Sequence, residues 1–260
     1  MIRLITANLN GIRSAHRKGF FKWVAKQNAD LICLQEVKAQ ENDIEKLSLE
    51  LPGYQGYYHC ALKRGYSGVG ILTKHQPLQV TRGLGWDVAD DEGRYVQLDF
   101  DELSVVSLYM PSGTSGEERQ NVKYDFMKRY EKHLKKIGQK KREYIICGDW
   151  NIAHTTIDLK NWRSNQKASG FLPDERAWMD KLFGSLGFVD AFRVVNQQPE
   201  QYTWWSQRSA TAWANNVGWR IDYQVITPGL KDVVKNAHIY REERFSDHAP
   251  LVMDYKVRKL

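Results

Sequence analysis

Asp149 and Asn151 lie two residues apart, just past the apolar run Tyr144-Ile-Ile-Cys147 and a glycine, Gly148. Ligands of α/β sheets sit where strands end, so a carboxylate and an amide at such a place are positioned for chemistry. If extended geometry persists beyond Gly148, both side chains project to the same side. Gly, Asp and Asn are also ordinary turn formers, and on this stretch alone a plain turn is the favoured reading. Other apolar runs end in the same way. The first delivers Asn8 and Asn10, the second Glu36, and Leu103–Leu108 delivers Tyr109. Gly218-Trp-Arg-Ile-Asp222 places Asp222 in a strand, and Ser246-Asp-His248 precedes the last one. Singly, Glu36 also reads as a helix N-terminal acid and His248 as a loop histidine. Asp222 is harder to explain as structure alone, because a buried carboxylate needs a partner. His248 can supply it, and Asp–His pairing fixes the imidazole tautomer and favours its charged form.

This set does not suit a serine or cysteine nucleophile, and the chain lacks a phosphate-binding G-x-x-x-x-G-K-[ST] loop. Oxygen ligands without thiolates suit a hard cation, Mg²⁺ or Mn²⁺. Carboxylates, a hard cation and a histidine on a basic protein describe metal-assisted phosphodiester hydrolysis. The composition agrees. The 260 residues carry a formal net charge of +7, which favours a polyanionic partner such as nucleic acid. Nine Trp and thirteen Tyr fill cores, and aromatics also stack on bases or wedge into duplexes. Cys33, Cys60 and Cys147 cannot all pair and show no zinc spacing, which fits a reducing, cytoplasmic compartment. Neither a signal-peptide pattern nor a membrane span is expected.

The elements that must position these groups are short. Strands are expected at Ile2–Ala7, Leu31–Leu34, Tyr54–His59, Val69–Thr73, Tyr95–Phe100, Leu103–Tyr109, Tyr144–Cys147, Gln201–Trp205, Arg220–Ile226, Val233–Ile239 and Pro250–Tyr255. Apolar i, i+4 spacing predicts helices over Lys18–Gln27 and Gln120–Lys136, and another starting at Pro173; a short amphipathic stretch carries Ile44, Leu47 and Leu51. Without a low-complexity linker, residues 1–260 read as a single domain. Strand clusters alternating with few helices, in two similar halves, suit two packed sheets with helices outside.

Eight ordered segments resemble one family, the exonuclease III-type apurinic/apyrimidinic (AP) endonucleases of the endonuclease/exonuclease/phosphatase superfamily. They are Asn8-Leu-Asn-Gly-Ile-Arg13, Leu34-Gln-Glu36, Gly65-Tyr-Ser-Gly-Val-Gly70, Tyr109-Met-Pro111, Gly148-Asp-Trp-Asn-Ile-Ala-His154 with Ile157-Asp-Leu159, Gly170-Phe-Leu-Pro-Asp-Glu-Arg176, Gly218-Trp-Arg-Ile-Asp-Tyr223 and Ser246-Asp-His-Ala-Pro250. The resemblance implies a four-layered α/β sandwich, two mixed β-sheets flanked by helices. It implies Mg²⁺-dependent cleavage of duplex DNA 5′ to an abasic site, Mn²⁺ substituting, with the number of ions undecided. Partner DNA would carry abasic sites or blocked 3′ ends, and the protein would be a monomer.

The resemblance also implies roles. Glu36 would be the principal metal ligand, with Asn8, Asn10 and Asp247 near the metal. Asp149 would position or deprotonate the attacking water, and Asn151 would orient water and phosphate. His248, paired with Asp222, and Tyr109 would contact the scissile phosphate. Trp204, Trp219 and Ile221 would line a pocket for the extruded sugar, while Trp205 reads as core. Arg13, Gly65 and Tyr66 would meet the DNA backbone, with Asn165 and Lys167 in a basic loop nearby. The loop Ser206–Asn216, with Gln207 and Arg208, would wedge into the duplex. Departures from the family are Asn10 where eukaryotic relatives carry Asp, Ala168 where Asn is common, and Ser164 where Gly is expected. They leave open the balance between endonuclease, 3′→5′ exonuclease and 3′-phosphatase activity. The alternatives are a specialised exonuclease or 3′-phosphatase, another phosphatase or nuclease of the superfamily, and a non-catalytic DNA-binding protein on a degenerate nuclease fold.

Overall fold

The computed structural model describes residues 1–47, 49 and 51–257. Its elements in chain order are β1 (Ile2–Asn8), α1 (Ile12–Arg17), α2 (Phe20–Ala25), β2 (Leu31–Gln35), α3 (Glu41–Glu45), β3 (Gln55–His59), β4 (Val69–Thr73), β5 (Gln79–Arg82), α4 (Asp87–Asp91), β6 (Tyr95–Asp99), β7 (Leu103–Tyr109), α5 (Glu117–Gly138), β8 (Glu143–Asp149), α6 (Pro173–Phe183), β9 (Val189–Asp190), α7 (Ala191–Val195), β10 (Asp222–Ile226), β11 (Val234–Ile239) and β12 (Leu251–Tyr255).

The strands form two six-stranded sheets, ordered β11-β12-β1-β2-β4-β3 and β5-β6-β7-β8-β10-β9. Each has one parallel pair near its centre, β1 with β2 and β7 with β8, and antiparallel neighbours outside. This is the mixed, two-sheet architecture expected from the alternating strand clusters. The inner faces meet in one apolar core that joins Leu4, Leu31 and Ile71 of the first sheet to Val96, Val105 and Ile145 of the second. Outer faces are covered by helices. Phe20 and Val24 of α2 pack over the first sheet, and Phe126, Tyr130 and Leu134 of α5 over the second. The i, i+4 spacing of those α5 residues is the reason one face of the helix is buried. Among the described residues no helix is long and apolar enough to cross a membrane.

The differences from expectation are local. The helix expected over Lys18–Gln27 is α2, Phe20–Ala25; α1 precedes it and was not expected, and Gly19, at φ +87°, breaks the chain between the two. The short β5 and α4, and the small β9 and α7, carry no clear periodicity and were not expected. Gln201–Trp205 is not a strand. It lies between the ends of the two sheets, where Trp204 pairs with Trp219 on one side and His248 on the other. Asp222 opens β10 rather than lying inside it.

The ends of the parallel pairs converge. On adjacent strands Tyr109 stands opposite Asp149, and Asp149 opposite Asp222, so one row crosses β7, β8 and β10. In the other sheet Asn8 ends β1 opposite Gln35, and Glu36 follows directly.

Candidate active site

Each polar group named at a strand end is aimed by a local device. Trp150 is fully buried in the core, and Asp149, the last residue of β8, precedes it. The strand does not continue to Asn151, which has φ +52°; its Nδ2 donates to the Met110 carbonyl at 2.9 Å. Both residues line the same cleft, through a left-handed turn instead of extended backbone. Glu36 also has a positive φ, +49°.

Glu36, Asp149 and His248 each place a donor atom within 4.8 Å of the others. Asp149 Oδ1 accepts the Asn151 backbone N–H at 2.8 Å, and Oδ2 accepts Asn8 Nδ2 at 2.9 Å. His248 Nδ1 is 2.8 Å from Asp222 Oδ2, the pairing expected from the sequence, and its Nε2 is 3.9 Å from Asp149 Oδ2. Burial alone would lower the His248 pKa, but the charge and hydrogen bond of Asp222, with Asp149 and Asp247, raise it to about 10. The ring is thus an imidazolium at neutral pH. Asp149 is pushed up by burial and by Asp222, against the opposing pull of His248. Glu36 is held below its ordinary value: burial would raise it, and the Lys38 ammonium and the Asn8 amide override that. Tyr109 is raised well above the phenol range by desolvation and by Glu36, so it keeps its proton and can donate.

The residues named near a metal divide. Glu36 faces the cleft beside Asp149. Asn8 Nδ2 bridges Glu36 and Asp149, while its oxygen accepts the Asn10 backbone N–H at 3.0 Å. A backbone N–H can only donate, so the Asn8 oxygen is turned away from the carboxylates. Asn10 Nδ2 donates to Asp247 at 2.9 Å, and Asp247 Oδ2 also accepts Trp204 Nε1 at 3.2 Å. Asn8, Asn10 and Asp247 are thus joined to the site's carboxylates and to one another by hydrogen bonds. Two carboxylates with no thiolate fit a hard divalent cation, and Glu36 and Asp149 are the groups that would hold it.

The cleft is open, with a volume of about 840 Å³. Trp204, Trp219 and Ile221 form one wall, packed on Leu159 and Phe171. Trp219 meets Trp204 edge-on, ring centroids 6.3 Å apart. Trp205 is buried in the core, as expected, against Trp213. Tyr66, Lys167 and Ala168 also line the cleft. Arg13, Gly65, Gln207 and Arg208 are exposed outside the cleft, and Asn165 is half-buried in its loop, bonded to the Asn161 carbonyl.

Several supporting residues escaped the sequence reading. Arg94 is buried; it bonds Glu92 and the Tyr109 carbonyl and stacks on the Tyr109 ring at 4.6 Å. Lys123 and Glu175 form a fully buried pair that holds the Asn151 carbonyl and the Gly170 and Leu172 amides. Arg220, next to Trp219 in the chain, joins Asp158 and Asp190 and stacks on the rings of Phe192 and Tyr223. The Glu92-Gly-Arg94 turn and the lysine on the α5 face toward β8 were the available signals. Neither lies at a strand end, where the sequence reading looked.

A profile of the Endonuclease/Exonuclease/phosphatase family matches residues 5–248. An exodeoxyribonuclease of Bacillus subtilis is 39% identical over 252 residues, covering 96% of this chain and 98% of the relative. A DNA-(apurinic or apyrimidinic site) endonuclease of Dictyostelium discoideum is 37% identical over 254 residues, covering 96% and 69%. The solved AP endonuclease of Archaeoglobus fulgidus superposes with a TM-score of 0.89 at 26% identity, covering 99% of this chain and 100% of that one. The paired carboxylates, the Asp–His couple and these matches agree: the chain belongs to the endonuclease/exonuclease/phosphatase family and is a nuclease phosphodiesterase.

Proposed function

We propose that the whole chain acts as one catalytic domain, a monomer in the cytoplasm, that incises duplex DNA 5′ to abasic sites. The products are a 3′-hydroxyl and a 5′-deoxyribose phosphate, with 3′→5′ exonuclease and 3′-phosphatase as side activities. The observation that carries this reading is the contact of Glu36, Asp149 and His248 beside an apolar wall of Trp204, Trp219 and Ile221. A sugar without its base fits against such a wall, and a baseless nucleotide is the easiest to extrude.

Asp149 takes a proton from the attacking water, which Asn151 helps to orient. Water oxygen bonds to phosphorus as the bond from phosphorus to the 3′-oxygen breaks, and the departing oxygen takes a proton from solvent to become the 3′-hydroxyl. The His248 imidazolium and the Tyr109 phenol donate to the phosphate oxygens, where negative charge grows in the transition state. Mg²⁺, or Mn²⁺ in its place, would be held by Glu36 with Asp149 and would supply positive charge to the phosphate and the leaving oxygen. Tyr66, Lys167, Arg13 and the Gln207–Arg208 loop offer contacts to the DNA backbone, and Gly65 and Asn165 lie beside them.

The test is a labelled duplex carrying one tetrahydrofuran abasic analogue, beside an undamaged duplex and a 3′-phosphate end, with Mg²⁺ or with EDTA. A single Mg²⁺-dependent cut 5′ to the analogue is expected. Strong 3′-end processing without that cut would make the chain a specialised exonuclease or 3′-phosphatase, and activity in EDTA would remove the metal.

Trp219→Ala is expected to lower the preference for abasic over intact duplex by roughly tenfold, the size of one lost stacking contact. Steady-state incision of both substrates checks this. Unaltered selectivity would return Trp219 to a packing role against Phe171 and Trp204.

A further inference from the structure

Among the described residues Lys38 is the one whose cation forms an ion pair with Glu36, and no role above uses it. Its Nζ lies 2.6 Å from Glu36 Oε2 and donates to Asn10 Oδ1 at 2.6 Å. Lys38 has φ +52°, Glu36 has φ +49°, and the intervening Val37 is wholly buried. Such left-handed conformations persist only where the surroundings over-determine them. Here four backbone hydrogen bonds do so: Gly11 N to Glu36 O, Ile12 N to Val37 O, Val37 N to Gly68 O and Lys38 N to Ser67 O, between 2.8 and 3.0 Å. The chain thus holds a carboxylate and an ammonium, two residues apart, at one point of the cleft.

We propose that Lys38 is the resident counter-cation of Glu36, and that its ammonium competes with the divalent cation for that carboxylate. This rests on the metal role of Glu36 given above. Without any cation, the Glu36 and Asp222 carboxylates, beside Asp149, share the single imidazolium of His248, which leaves Glu36 short of positive charge in a buried site. Lys38 supplies the missing charge. Lysine suits the task because its ammonium is a point charge on a flexible stem. The side chain is about one-third exposed, so it can swing away when a cation arrives. Lys38 also lines the cleft with Tyr66 and Tyr109, so a displaced ammonium stays beside the path of a DNA phosphate. Metal and DNA would then each favour the binding of the other, by linkage.

Mn²⁺ alone, without DNA, tests the competition. Free Mn²⁺ is followed by electron paramagnetic resonance during titration of the wild-type chain, Lys38→Met, Lys38→Gln and Glu36→Gln, with thermal melts to confirm folding. Both Lys38 variants are expected to bind Mn²⁺ roughly tenfold more tightly, since the ammonium paired with Glu36 no longer has to be displaced. Glu36→Gln is expected to lose the site. Equal or weaker binding by both folded Lys38 variants would overturn the competition while leaving the metal site in place. Binding that Glu36→Gln does not change would instead overturn the metal role of Glu36.

Discussion

Asp149→Asn should abolish most turnover, by about 10³-fold or more, while leaving DNA affinity nearly intact and raising thermal stability. The first effect follows from the loss of the general base, a group worth about 10²–10⁴ in rate. Its oxygen cannot be replaced by an amide that holds no exchangeable negative charge. The second follows from the proposed function, in which Trp204 and Trp219, which also line the cleft, would meet the DNA and are left unchanged. The stability gain has a separate cause. Asp149 stands directly opposite Asp222 across the β8–β10 ladder, and like charges so placed are destabilising. Its pKa is raised to about 8 by burial and by Asp222, well above the value near 4 of an unfolded aspartate. A group whose folded pKa is raised contributes stability at low pH that is lost as pH climbs from about 4 to about 8. Asn has no such loss. The melting temperature of Asp149→Asn in chelator should therefore exceed the wild type's by more at pH 8 than at pH 5. Each kcal/mol gained would appear as about 2–4 °C in a chain of this size. Single-turnover incision, fluorescence anisotropy with abasic duplex and calorimetry at the two pH values check the three effects. A variant with full activity would remove Asp149 from the mechanism, and a uniform fall in melting temperature would remove the strain.

His248→Asn should be damaging in both rate and stability. The imidazolium is the shared counter-charge of Asp222, Asp149 and Asp247, which together raise its pKa to about 10 against the effect of burial. On the proposed mechanism its loss removes a donor from the growing charge on the phosphate, and one such donor is worth about 10²–10³ in rate. It also leaves Asp222 buried without its partner, and breaking a buried pair costs about 3–5 kcal/mol. A melting temperature lower by about 10 °C is expected. Asp149 would lose the neighbour that opposes its upward shift, so the acid limb of the rate profile should move to higher pH. The profile and a melt of the same sample test this. A folded variant with wild-type kcat, or an acid limb that stays in place, would show that His248 neither donates nor tunes Asp149.

How much of this was legible beforehand depends on the range of the interactions. Leu31–Leu34 and Leu103–Tyr109 read correctly as strands because burial on both faces writes a continuous apolar run into the sequence. The polar residues that follow such runs, Glu36, Tyr109, Asp149 and Asn151, were identifiable for the same reason, and the structure brings all of them to one cleft. Gln79–Arg82 and Val189–Asp190 were missed: one is partly exposed and the other only two residues long, so neither imposes a period. Gln201–Trp205 looked like a strand because its aromatics are apolar, yet it bonds two different partners at the junction of the sheets.

The residue types of the site, the positive charge and the order of the motifs were thus determined by the sequence alone. Tertiary structure decided what those residues touch. The row Tyr109–Asp149–Asp222 depends on strand register, and register is set by packing partners far away in the chain. The direction of the Asn8 amide, the grip of Lys38 on Glu36, the stack of Arg94 on Tyr109 and the Lys123–Glu175 support under Asn151 join different loops and helices. No local spacing encodes such contacts, because each is made only when the two sheets close and desolvate the charges between them.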